Sequence, residues 1–89
     1  MSLPPSVFEK MMDADGILLS SPVYFGSATP EVKALMDRAG YLSIAKGRVL
    51  ENKVGGAIIV ARRAGQNFTF AQLLFSFLHQ EMIFPGSTY

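Results

Sequence analysis

The 89-residue sequence contains no cysteine. The chain can therefore form no disulfide and offers no thiolate to a metal ion. Its single histidine, His79, has no second imidazole or thiol with which to share a metal ion, and a packing or capping role is expected for it. We expect no metal site and no metal-dependent chemistry from these residues.

The sequence also lacks a charge excess and a long apolar run. It has 8 Lys and Arg against 7 Asp and Glu, which gives a net charge of +1. Such a balance provides no broad attraction for nucleic acid or an acidic membrane surface. No apolar run approaches the roughly 18 residues of a membrane span. The first residues lack the basic-then-apolar layout of a secretory signal. We expect a cytoplasmic protein without nucleic-acid or membrane partners.

Apolar residues are abundant, at 49% of the chain, with 17% charged residues, a balance that excludes a disordered protein. Their spacing alternates between helical and extended periods. The predicted elements are a helix at 5–13, a strand at 17–19 buried on both faces, a helix from Pro30 capped by Thr29, a strand at 54–61, a helix at 68–80 capped by Asn67, and a strand at 82–84. Strands that alternate with helices predict right-handed crossovers and a parallel sheet. We predict one α/β domain over residues 1–89, with about three strands.

Ligands of open α/β sheets bind beyond the carboxyl ends of the strands. The first loop there, within "SSPVYFGSATPE", carries Tyr24 and Phe25 side by side and then Gly26, which lets a ligand approach the backbone. The next helix start disfavours phosphate, because Pro30 removes an N–H donor and Glu31 adds a negative charge. This loop favours a planar, weakly charged ring. Alternatively, the two aromatic side chains cap the core or fill an oligomer interface.

The second loop at that edge, "RRAGQN", has the opposite character. Arg62 and Arg63 follow the strand, Gly65 adds conformational freedom, and no acid occupies the first turn of the next helix. Guanidinium groups and helix-start amides could together hold an anion. The alternative is a pair of solvated arginines on the surface. A binder of anions or nucleotides that uses the arginines alone is a further hypothesis.

Two long segments resemble a known family. Residues 14–40, "ADGILLSSPVYFGSATPEVKALMDRAG", closely resemble the middle of flavodoxin-like NAD(P)H-dependent FMN reductases, nearest to the iron-sulfur flavoproteins and multimeric flavodoxins. Residues 53–89 resemble the next βα unit, and the pattern SPVYFGS-x-TPE-x-K carries most of the specificity. The resemblance implies a partial flavodoxin-like, doubly wound parallel sheet, with FMN as cofactor and NAD(P)H as reductant.

The resemblance also implies a set of cofactor-binding residues. In that family the loop after the third strand wraps the isoalloxazine ring, largely through backbone amides, and the loop after the fourth strand approaches it. The residues assigned in this way are Ser21, Pro22, Val23, Tyr24, Phe25, Gly26, Arg62, Arg63 and Gly65. We assign no catalytic residue, because the flavin itself performs the redox chemistry.

The sequence departs from the family pattern at its beginning. The family's first two strands, its phosphate loop and the cysteine cluster of the iron-sulfur branch would precede residue 1, so we expect no iron-sulfur cluster within this chain. The expectation is an FMN-binding, NAD(P)H-dependent oxidoreductase present as a fragment or truncated form, with a bare edge on the strand at 17–19 that favours a homo-oligomer. The alternative is a non-catalytic flavodoxin-like interaction or assembly module without flavin.

Overall fold

The structure, a computed structural model, describes residues 5–86. Its elements, in chain order, are α1 (Pro5–Asp13), β1 (Gly16–Pro22), α2 (Pro30–Ala45), β2 (Val54–Val60) and α3 (Gln66–His79). The predicted alternation of helices and strands is confirmed. None of the helices within residues 5–86 is long and apolar enough to cross a membrane.

The two strands pair in parallel, from Gly16 opposite Val54 to Pro22 opposite Val60. The strand predicted at 82–84 is reduced to one parallel bridge between Ile83 and Val54. At that bridge the Ile83 N–H donates to the Lys53 carbonyl at 2.8 Å, and the Gly55 N–H donates to the Ile83 carbonyl at 2.8 Å. Pro85 offers no N–H with which to extend the pairing. The spatial order is therefore β1, β2 and then the Ile83 bridge.

All the helices that connect these segments cover one face of the sheet. The order β1, β2, Ile83 advances in a single direction, so right-handed crossovers place α2 and α3 on the same side. The core lies on that side, where Leu50, Phe77 and Met82 are buried. The half-buried side chains packed against these three are Met11, Ile17, Leu19, Val49, Ala57 and Phe84.

The opposite face of the sheet is apolar and uncovered within residues 5–86. Leu18 is 74% exposed, and Ile58 and Val60 on the neighbouring strand are also exposed. The prediction of a strand buried on both faces is therefore wrong for the described residues, because neither crossover reaches this side. The outer edge of β1 likewise has no strand partner in the described part of the chain.

The two long helices begin in different ways. α2 begins as predicted: the Val32 N–H donates to Thr29 Oγ1 at 3.2 Å, and Pro30 occupies the first helical position. The prediction that Asn67 caps α3 is wrong, because α3 already begins at Gln66. Gly65 stands at its cap position with φ 92°, a left-handed conformation that turns the chain into the helix without a side-chain cap.

Candidate functional site

The loops after the two strands leave the sheet side by side. Pro22 and Val60, the last residues of β1 and β2, are register partners. The pairing extends one step further, since the Val23 N–H donates to the Val60 carbonyl at 3.0 Å. The loops after the two strands therefore share one edge, as the sequence predicted. The strand predicted at 17–19 extends over Gly16–Pro22, so the first three residues of the predicted loop 20–29 belong to β1, and the last two of 62–67 belong to α3.

The tip of loop 20–29 is a tight reverse turn. The Tyr24 N–H donates to the Ser27 carbonyl at 2.9 Å, and the Ser27 N–H donates to the Tyr24 carbonyl at 3.2 Å. Between them, Phe25 and Gly26 have φ values of 51° and 82°. Positive φ at both central residues is typical of a type I′ turn. An aromatic residue rarely adopts this conformation, and such strain concentrates at ligand-binding sites.

The aromatic pair points to solvent and not into the core. Phe25 is fully exposed and Tyr24 is 57% exposed. The alternative that these side chains cap the core is wrong for the described structure. The backbone N–H groups of Phe25 and Gly26 find no acceptor among residues 5–86. The tip thus presents an aromatic surface beside two unused hydrogen-bond donors.

The base of the loop is closed by a buried serine. Ser21 is 2% exposed. Its Oγ accepts the Thr29 N–H at 3.2 Å and donates to the Pro22 carbonyl at 2.8 Å. The Ser21 hydroxyl thus ties the end of β1 to the residue that caps α2.

Gly65 joins the two loops. A β-carbon on Gly65 would lie 2.7 Å from Val23 Cγ1 and 2.9 Å from the Cα of Gly26. Real β-carbons do not approach neighbours this closely, so only glycine allows the loops to touch here. The predicted conformational freedom of Gly65 is confirmed, and its reason is this contact.

The touching loops border a shallow depression of about 620 Å³. The residues that line it are Val23, Phe25, Gly26, Arg62, Arg63 and Ala64. Five of the nine predicted site residues thus share one surface, with Gly65 at its base, while Pro22, Tyr24 and buried Ser21 lie outside the lining. Both arginines are exposed and neither forms an ion pair within the described residues. The depression combines apolar surface with positive charge.

Sequence reasoning missed Gln72, a residue of α3 that contacts the first loop. The Ala28 N–H donates to Gln72 Oε1 at 2.8 Å. The two residues are 44 positions apart, so no local spacing indicates the contact. Only the fold brings α3 against the base of loop 20–29.

A second groove, of about 510 Å³, runs between α2 and α3. Its charged groups include Lys33 and Asp37, which pair on one exposed face of α2. Exposed pairs at this spacing contribute little energy. None of its lining residues belongs to the loops after β1 and β2, so the depression at the two loops remains the candidate site.

Comparison with known proteins assigns the chain to a family. The family model described as NADPH-dependent FMN reductase matches residues 4–89. The chain is 48% identical over 82 residues to an iron-sulfur flavoprotein of Methanocaldococcus jannaschii. The aligned region covers 90% of this chain and 42% of that protein. It is 29% identical over 89 residues to an NAD(P)H dehydrogenase (quinone) of Trichlorobacter lovleyi. That aligned region covers 98% of this chain and 43% of the dehydrogenase.

A solved structure confirms the fold. The crystal structure of a flavodoxin, WrbA-like protein from Agrobacterium tumefaciens matches with a TM-score of 0.81 at 18% identity, over 91% of this chain and 52% of that chain. The flavodoxin-like α/β fold predicted from the sequence is thereby confirmed. The chain spans less than half the length of the two curated relatives above, 42% and 43%. It belongs to the NADPH-dependent FMN reductase family.

Proposed function

We propose that this chain forms the flavin-facing wall of an FMN-binding, NAD(P)H-dependent oxidoreductase that acts in the cytoplasm. The observation that carries the proposal is the contact of Gly65 with Gly26 and Val23, which gathers the Phe25–Gly26 turn and the arginine loop around one depression. Family membership supports the same reading. A bound flavin would supply the redox chemistry by accepting a hydride equivalent from the nicotinamide.

The residues present fit the flat, polar-edged ring of a flavin. The depression falls within the roughly 300–1,000 Å³ range of small-molecule sites. Phe25 and Val23 offer apolar surface, and the free N–H groups of Phe25 and Gly26 are donors for carbonyl oxygens at a ring edge. No acidic side chain lines the depression to repel an electron-rich ligand.

The arginines suit the phosphate groups of the ligands and not the flavin ring. Arg62 and Arg63 are exposed beside the same depression and are free of carboxylate partners within residues 5–86. Their guanidinium groups suit the phosphates of a nicotinamide nucleotide or of FMN. The 89 residues contain no cysteine, so the thiolates of an iron-sulfur cluster would have to come from another polypeptide segment.

The experiment that tests this proposal is an absorbance spectrum of the purified protein, followed by chromatography of whatever denaturation releases. About one flavin per chain is expected, either retained or taken up on addition of FMN. A chain that neither retains nor takes up flavin would contradict the proposal. Titration with riboflavin and with FMN then distinguishes binding of the ring from binding of the phosphate. Equal affinities for the two ligands would indicate that only the ring is held. Tighter binding of FMN that is lost in the R62A/R63A variant would assign the phosphate to the arginines.

A second candidate function is a homo-oligomeric assembly module without flavin. The uncovered aliphatic face that carries Leu18, Ile58 and Val60 favours it, as does the unpaired edge of β1. Light scattering of flavin-free protein tests this candidate. A compact oligomer without flavin supports it, whereas a monodisperse monomer at high concentration contradicts it.

A further inference from the structure

Gln72 reaches from the middle of α3 to the loop that carries the Phe25–Gly26 turn. Its Oε1 accepts the Ala28 N–H at 2.8 Å, in a half-buried position. Ala28 lies between Ser27, which closes the turn, and Thr29, which caps α2. The bond therefore acts on the one residue between the turn and the rigid start of a helix.

The other hydrogen bonds of this loop do not fix it against α3. The bond from the Thr29 N–H to Ser21 Oγ ties the end of the loop to β1, and the pair between Tyr24 and Ser27 lies within the loop. The Val23 N–H ties the loop to β2 at Val60. Among residues 5–86, the Gln72 bond is the only side-chain hydrogen bond between this loop and α3.

A movement of Ala28 would displace the neighbouring Phe25–Gly26 turn directly. Ser27 is bonded in both directions to Tyr24, so Tyr24 to Ser27 move as a small rigid unit. One face of that unit, at Gly26, already contacts Gly65 at the start of α3. Gln72 holds Ala28, Gly65 contacts Gly26, and the Val23 N–H bonds to Val60, so these three contacts together restrict how the turn can move relative to Arg62 and Arg63.

We propose that Gln72 is a positioning residue for the ligand site: it sets the orientation of the Phe25–Gly26 turn relative to the arginine loop. This inference rests on the proposed function for its ligand, a flavin ring held by that turn. Preorganised donors bind more tightly than mobile ones, because less ordering entropy is lost on binding. Gln72 would raise affinity without touching the ring.

The test compares Q72M, which has nearly the same shape and no comparable acceptor, with Q72E, which keeps an acceptor oxygen. Q72L serves as a second variant without an acceptor. In Q72M and Q72L we expect the Ala28 amide to exchange with deuterium about tenfold faster, and the amide resonances of Phe25 and Gly26 to shift. Riboflavin affinity should fall about three- to tenfold while the urea midpoint stays close to that of the parent. Q72E should restore slow exchange at Ala28.

Two results would overturn the proposal. One is unchanged Ala28 exchange and unchanged Phe25 and Gly26 resonances in Q72M and Q72L. The other is a displaced turn with unaltered riboflavin affinity, which would leave the proposed flavin function standing. If the parent chain binds neither riboflavin nor FMN, the proposed function fails, and the exchange and resonance data alone decide whether Gln72 positions the turn.

Discussion

Gly55 lies directly beneath the ring of Phe77: a β-carbon on Gly55 would approach the Phe77 Cγ to 2.9 Å. Phe77 belongs to the buried cluster that joins α3 to β2. The absence of a side chain at residue 55 is thus what allows the helix to pack this close to the sheet.

Substitution of Gly55 by alanine is expected to destabilise the fold. The added methyl group must displace a buried ring, which typically costs about 1–3 kcal/mol. Urea unfolding measures the loss. The matched control is G16A in β1, where the nearest atom to the new β-carbon lies at an ordinary 3.5 Å and no such loss is expected. Equal stabilities for the two variants would contradict the close packing of Gly55.

A second comparison concerns Gly65 and Gly47, which share a φ of 92°. Both G65A and G47A must force alanine into a left-handed conformation, at a cost of about 1 kcal/mol. Only Gly65 also contacts Val23 and Gly26, since nothing lies within 4 Å of a β-carbon on Gly47. G65A should therefore lose about 1–3 kcal/mol more than G47A in urea unfolding.

The same pair tests the candidate site. Under the proposed function, G65A weakens riboflavin binding because it separates the two loops, whereas G47A leaves the affinity unchanged. An affinity loss of similar size in both variants would show that general destabilisation, and not the loop contact, is responsible.

Leu18 and Leu19 are adjacent, chemically identical and on opposite faces of β1. Leu19 packs against the core, whereas Leu18 is exposed on the uncovered face. L19K is expected to lose about 2–4 kcal/mol, because a charged group is forced against buried apolar side chains. L18K should change the unfolding free energy by less than about 1 kcal/mol.

The exposed-face variant also reports on association. If the uncovered face mediates self-association, L18K shifts the sedimentation profile toward smaller species at equal concentration. An unchanged profile would exclude this face as the contact between copies. A large stability loss in L18K would instead mean that the face is covered in solution.

Two substitutions of Phe25 distinguish the effect of backbone strain in the turn from the effect of the aromatic ring. Asparagine tolerates the left-handed region, so F25N should leave the unfolding free energy unchanged or raise it by up to about 1 kcal/mol. F25L keeps the strain and removes only the ring. Under the proposed function, both variants bind riboflavin several-fold more weakly, as titration by flavin fluorescence would show. Full affinity in both would exclude the aromatic ring as a ligand contact.

Local sequence signals predicted the positions of the helices and strands well, but they did not predict the tertiary contacts of those elements. The helical and extended periods, together with Thr29 and Pro30, depend on neighbours along the chain, and they placed α1, α2 and β2 closely. The strand predicted at 82–84 pairs only at Ile83, because an apolar triplet carries no signal for how many of its residues pair. Asn67 was preferred as a cap on residue type, whereas the left-handed Gly65 sets the start of α3.

In the candidate site, too, some features could be predicted from the sequence and others could not. The position of the two loops follows from sheet topology, and the sequence predicted it. The inward orientation of Ser21 and the reach of Gln72 depend on contacts across eight and 44 positions, for which a single sequence holds no signal. Exposure of Leu18 likewise depends on the direction in which the strand order runs, a property of the whole sheet.

The parallel register has a kinetic consequence. Every residue of β1 finds its partner in β2 only after the whole of α2 has been bridged, so no sheet hydrogen bond between these strands forms from nearby residues. Loop closure must precede any gain from pairing, and such non-local contacts slow folding. The helices can form early, and the sheet edge that supports both ligand loops is then among the last parts of this chain to take shape.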